Sequence, residues 1–167
     1  VIYGVSLIGL YTMSSVYHGL RPGMGKKVLQ VLDHCTIYFL IAGSYTPVAL
    51  SAIRPLYPEL GIGLDIGEWA LTALAVTLTA IDLRKYRVFS MVCYIGMGWA
   101  VLPFAPQAME AMGQTGFTLL LAGGIAYTLG SILYGIGAKR KWLHSVFHIF
   151  VVLGSVLHFF AIFLYAL

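Results

Sequence analysis

The chain has 167 residues, of which 60% are apolar, 14% aromatic and only 10% charged. A soluble domain carries about 45–50% apolar and about 25% charged residues, and a disordered segment is more polar still, so both are excluded. Ten Lys and Arg against six Asp and Glu leave a net charge of +4. Because the cations sit in short clusters between apolar runs, they report membrane topology and anionic headgroups, and no nucleic-acid partner is expected.

At about 20 apolar residues per membrane-crossing helix, this length accommodates about six spans and little else. The apolar runs predict helices over residues 1–20, 28–53, 64–81, 88–104, 116–137 and 143–167. In hydrocarbon each segment must pair its own backbone groups, and no run alternates like a strand. The expected fold is therefore an all-α integral membrane protein, a single six-helix transmembrane bundle. The first run lacks a basic leader region and a small-x-small cleavage site, so it is not a signal peptide. The chain opens on Val1, and some N-terminal sequence is expected to precede it. Pro47 and Pro103 are kinks of the kind membrane helices tolerate, and Ala122, Ala126 and Gly130 predict a close-packing ridge on the fifth helix.

The connections between runs alternate in charge. The odd-numbered ones carry Arg21, Lys26 and Lys27, then Arg84, Lys85 and Arg87, then Lys139, Arg140 and Lys141. The second has only Arg54, beside Glu59, Asp65 and Glu68, and the fourth only Glu110. The positive-inside rule puts the odd connections in the cytoplasm and both ends of the chain outside.

Ionisable residues within spans are costly and point to function. His18 ends the first run, Asp33 and His34 lie near the start of the second, and His144 and His148 open the last, so three helices deliver imidazole and carboxylate to one shallow layer of the inner leaflet. His144 and His148 share a helix face at i, i+4, as do Ser14 and His18. Two histidines one turn apart and a third from another helix supply three neutral nitrogens, the open tetrahedral arrangement of catalytic zinc. Asp33 and His34 are about 100° apart on a helix, so only one is expected to face the site squarely. Asp33 is the choice, as acceptor of a proton from water, with an ion pair to Arg21 or Lys26 as its bland alternative. His34 is expected to pack on the face of Tyr38 and Tyr45. Ser14 either hydrogen-bonds within the site or returns its hydroxyl to its own helix. His158, about 15 Å further along the last helix than His148, is expected to bond a neighbouring helix. Cys35 and Cys93 are expected to be small buried residues, neither disulfide partners nor metal ligands.

Taken together, Ser14-x3-His18, Leu32-Asp33-His34 leading into Ile41-Ala42-Gly43-Ser44-Tyr45-Thr46-Pro47, Gly123-Gly124-x2-Tyr127-x2-Gly130, and His144-x3-His148 followed by His158-Phe159-Phe160 resemble the hemolysin III family. That family belongs with the adiponectin and progestin receptors and the alkaline ceramidases, which share an intramembrane zinc site. The resemblance runs along nearly the whole chain and implies a seven-helix fold of which this chain begins at the second helix. It also implies His18, His144 and His148 as zinc ligands, with Asp33 and Ser14 holding a water or reaching the metal through it.

Three functions follow as expectations. The leading one is a zinc-dependent hydrolase of a lipid amide or ester, by analogy with the ceramidases, acting on a membrane lipid from the cytoplasmic leaflet of a plasma or inner membrane. The second is a receptor or membrane-stress protein in which zinc is structural. The third is a pore or cytolysin, against which stands the lack of a recurring polar stripe. Bis-histidine haem fits less well than zinc, because the histidines form one layer with a carboxylate beside them.

Overall fold

The computed structural model describes residues 1–136 and 141–167, and at residues 136, 141 and 144 the backbone alone. The described residues form six α-helices: α1 (Ile2–Gly19), α2 (Met24–Pro47), α3 (Pro58–Ile81), α4 (Arg87–Gly98), α5 (Ala105–Ile136) and α6 (Lys141–Tyr165), with no strand among them. Four stretches are long and apolar enough to cross a membrane: Met24–Ile53, Pro58–Ile81, Arg87–Gly135 and Ser145–Tyr165. The third is 49 residues long and holds both α4 and α5, about twice the length that one crossing needs. α1, with Ser6, Thr12, Ser14, Ser15 and His18, is less apolar than these four. The chain is an all-α, multi-pass integral membrane protein. Exposed Ile8, Val92, Ile125, Leu129, Ile149 and Phe163 would be an aggregation hazard in water, whereas lipid tails cover such residues at no cost.

α5 packs along α6, α1 along α2, and α2 along α3. The close approach of α5 to α6 depends on small residues, among them the predicted Gly130. The residues that admit α6 are Gly116, Gly123 and Gly130, where an added Cβ would meet Tyr165 Cβ at 2.5 Å, His158 Cδ2 at 2.1 Å and Phe150 Cβ at 3.1 Å. Ala126 is buried beside them, while Ala122 is only half-buried. The glycines that admit α6 are thus seven residues apart, with the predicted Ala126 buried between Gly123 and Gly130.

α2 continues through Pro47 into a π-helical turn, Val48–Ile53. Pro47 has no N–H to give, and the wider turn re-pairs the backbone at its end through Arg54 N–H to the Ala49 carbonyl, 2.8 Å. α4 stops at Gly98, and a short 3-10 turn, Leu102–Phe104, leads into α5. The break lies within the apolar layer, where backbone groups cannot be left unpaired. Tyr45 mends it: its hydroxyl donates to the Gly98 carbonyl (3.2 Å) and accepts from the Val101 N–H (3.0 Å). α5 is kinked at Gly113, a non-helical residue with φ of 71° and ψ of 164°, so it consists of a first segment from Ala105 and a longer one that begins just after Gly113, close to the expected residue 116.

α3 starts earlier than expected, at Pro58 instead of residue 64. Pro58 opens its first turn and Glu59 lies there too, both favourable at a helix N-terminus. Asp65 and Glu68 are helical, as the expected span 64–81 already had them. Asp65 accepts the Thr46 hydroxyl at 2.8 Å, and Thr46 Oγ1 accepts Trp69 Nε1–H at 3.0 Å, fastening α3 to α2. Glu68 is 2% exposed, with no hydrogen-bond partner for Oε2 among the described residues.

Candidate functional site

A cavity of about 870 Å³ opens between α1, α2, α4, α5 and α6. The wall contributed by α2 is one helical stripe, Gln30, Asp33, His34, Ile37, Leu40, Ile41, Ser44 and Tyr45, recurring every three to four residues as single positions or adjacent pairs. Facing it are Ser14 and His18 from α1 and His148 from α6, with His158 also on the lining. Residues far apart in the sequence thus share one chamber, because the ends of α1 and α5 and the starts of α2, α4 and α6 meet at the same end of the bundle.

The histidine layer is specific in geometry. The rings of His18 and His148 stand edge to face, with centroids 5.2 Å apart and planes at 86°. His18 Nδ1 is 2.8 Å from the Ser14 carbonyl, one turn back in its own helix. Only an N–H satisfies that carbonyl, so the hydrogen is on Nδ1 and the ring's lone pair is on Nε2. This is the orientation in which a metal-binding imidazole is commonly fixed. Ser14 therefore holds His18 through its backbone oxygen, a third possibility beside the two expected for its hydroxyl.

Asp33 and His34 both line the cavity, where only Asp33 was expected to face the site. The chamber is broad enough for two adjacent positions of α2 to border it. His34 repeats the pattern of His18, with Nδ1 2.8 Å from the Gln30 carbonyl, and its own carbonyl accepts the Tyr94 hydroxyl at 3.0 Å. The side chain of His144, the third expected nitrogen donor, lies outside the described residues, as do Lys139 and Arg140 of the third basic connection. Among the described residues, no group of three or more His, Cys, Asp or Glu side chains stands close enough to hold a metal.

Imidazole nitrogens are ligands that zinc accepts, and among the described residues His18 and His148 bring two of them together, with ring centroids 5.2 Å apart. The two rings come from α1 and α6, so an ion between them would join the first and last helices. Neither Cys35, which is buried, nor Cys93 lines the cavity, and both are free thiols.

Deeper along α6 lies a second polar layer that sequence reasoning anticipated only at His158. His158 Nε2 bonds the Leu120 carbonyl of α5 at 3.0 Å, and Gly123 makes room for its ring. One turn nearer the cavity mouth, Ser155 gathers three tyrosines: Tyr3 donates to its carbonyl (2.9 Å), Tyr11 donates to Oγ (2.8 Å), and Tyr127 bonds Oγ at 2.7 Å. Nothing in the spacing of these tyrosines marks them in the sequence. Their common partner appears only when α1, α5 and α6 meet.

A family model described as "Haemolysin-III related" matches residues 1–159. Hemolysin-3 of Bacillus cereus is 36% identical over 99% of this chain and 74% of its own length. The Hemolysin-3 homolog of Bacillus subtilis is 34% identical over 98% and 75%. The human monocyte to macrophage differentiation factor is 29% identical over 98% and 68%. No solved structure matches. With the family model spanning nearly the whole chain, and the motifs around Ser14, Asp33, Gly123 and His148 falling inside it, this chain belongs to the haemolysin-III-related family of membrane proteins.

Proposed function

We propose that this protein is a zinc-dependent hydrolase of lipid amide or ester bonds, working at a site near one membrane surface. The observation that carries the reading is the pairing of the His18 and His148 rings across a cavity whose opposite wall carries Asp33. His18, His148 and His144 would hold the ion. Bound zinc supplies Lewis acidity, making water acidic enough to lose a proton near neutral pH and polarising a carbonyl.

The chain's own residues supply the rest. The Ser14 carbonyl keeps the His18 ring in the tautomer with its lone pair on Nε2. A carboxylate oxygen of Asp33 accepts the proton of the attacking water and delivers it to the leaving nitrogen or oxygen, so that acid and amine or alcohol are released. Leu10, Ile37, Leu40, Ile41, Ile95 and Val151 present apolar surface to a hydrocarbon chain and keep bulk water out.

Replacing Asp33 by Asn tests this reading. A general base contributes about 10²–10⁴-fold, so hydrolysis of a ceramide-like lipid should fall by about that factor while zinc, measured by elemental analysis, is retained. Release of zinc by Asp33→Asn would make the carboxylate a ligand, close the coordination, and turn the reading to a structural or receptor role for the metal.

The same reading sets the site on the cytoplasmic side, with the connections around Lys26 and Lys85 inside and Glu110 outside, because the basic residues cluster at the cavity end. A cysteine at position 110 should react with a membrane-impermeant reagent in intact cells. Reaction only after lysis would invert the topology.

A further inference from the structure

We infer that the rim of the cavity is an anion-recognition site, formed by Arg84 and Arg87, which selects an amphiphile with a phosphate headgroup. Both arginines lie in or next to the turn between α3 and α4, both are exposed, and both line the cavity that holds His18, Asp33 and His148. The remaining basic residues described at this end are placed differently. Lys26 Nζ donates to the Leu20 carbonyl at 2.8 Å and sits over the Tyr17 ring, and Lys85 Nζ sits 5.3 Å from the Tyr86 ring centroid. Neither lysine lines the cavity, nor do Arg21 and Lys27.

The acidic residue of the turn does not neutralise the rim. Asp82 Oδ1 accepts the backbone N–H groups of Arg84 and Lys85, each at 3.0 Å, and so shapes the turn. Among the described residues, Arg84 and Arg87 form no ion pair with a carboxylate. Two guanidinium groups above an otherwise largely apolar chamber match a chain that enters the bilayer and an oxyanion that stays at its surface. Arginine's planar fork suits the several oxygens of phosphate better than a point charge does.

The inference shares with the proposed function the idea that the cavity receives a lipid chain, but it does not need turnover. Its test is equilibrium binding, followed by tryptophan fluorescence with Trp99 on the cavity wall, to protein in a neutral detergent. Dodecyl phosphate should bind about tenfold tighter than a neutral dodecyl glycoside, as two charge-assisted contacts would give. Arg84→Gln with Arg87→Gln should reduce that preference to about twofold or less, and Arg84→Lys with Arg87→Lys, which keeps the charge and the topology, should retain part of it.

Lys27→Gln with Lys85→Gln removes the same charge away from the rim and should leave the preference intact. An equal loss in this control, or no preference in the native protein, overturns the inference. An unchanged preference in the double lysine variant of the arginines would also overturn it as a guanidinium site. Inorganic phosphate that fails to compete identifies a lipid headgroup as the source of the anion. Competition at millimolar concentration would point to free phosphate and overturn the amphiphile. The hydrolase reading stands or falls separately, on zinc content and Asp33→Asn.

Discussion

Two polar layers border the same cavity, one at the start of α6 around His148 and one halfway along it around Ser155 and His158, and they use their hydrogen bonds differently. In the deep layer the described bonds run between helices: Tyr3 and Tyr11 of α1 and Tyr127 of α5 meet Ser155 of α6, and His158 reaches back to α5. In the shallow layer the described bonds of His18 and His34 close on the carbonyl one turn back in the same helix. A polar group whose bond joins two helices in hydrocarbon holds the bundle together. A ring oriented from within its own helix is in position before any ligand arrives, as a metal donor has to be.

The largest effect that would break this distinction is metal removal. If zinc bridges α1 and α6, its binding free energy adds to their docking, and His148→Ala should lose the metal together with a large part of the thermal stability. Native protein stripped by a chelator should then unfold at the temperature of His148→Ala. Native protein that unfolds at the same temperature with and without the chelator would place the bridging role with the deep layer alone.

Gly123→Ala should come next. Its Cβ would lie 2.1 Å from His158 Cδ2, and His158 is enclosed between α5 and α6, so the helices must separate or the ring must leave the Leu120 carbonyl. Overpacking of this kind costs about 1–3 kcal/mol. The expected result is a lower unfolding temperature with zinc content per folded molecule unchanged. Loss of zinc in this variant would mean that the two layers are coupled.

The smallest change is Tyr127→Phe, which removes one hydroxyl from Ser155 while Tyr11 still donates to Oγ. The cost should be about 0.5–1.5 kcal/mol, read as a modest drop in unfolding temperature, with lipid hydrolysis retained. A collapse of activity at unchanged stability would move Tyr127, which lines the cavity, from the scaffold to the site.

The places where sequence reasoning fell short have a common cause. The run before residue 64 reads as a loop because it holds Arg54, two prolines and Glu59, yet Pro58 and Glu59 are helix-start signals. What makes Asp65 tolerable in a helix is Thr46, a residue of another element. The ridge of α5 was expected at Ala122, Ala126 and Gly130. That Gly116 and Gly123 also admit α6 depends on where His158 and Tyr165 of α6 come to rest.

By itself the sequence determined the class of solvent, the helical character of each run and the clustering of cations at alternate connections. These depend on local quantities: hydrophobicity, the three-to-four-residue period and the cost of a charge in lipid. Only the tertiary structure decided that Asp33 and His34 both reach the chamber, that Arg84 and Arg87 border it, that Tyr45 mends the break after α4, and that three tyrosines converge on Ser155. Each of these needs two or more helices to be set at one rotation and one height relative to each other. In lipid that setting comes from packing of small residues and interhelical hydrogen bonds, which no single segment contains.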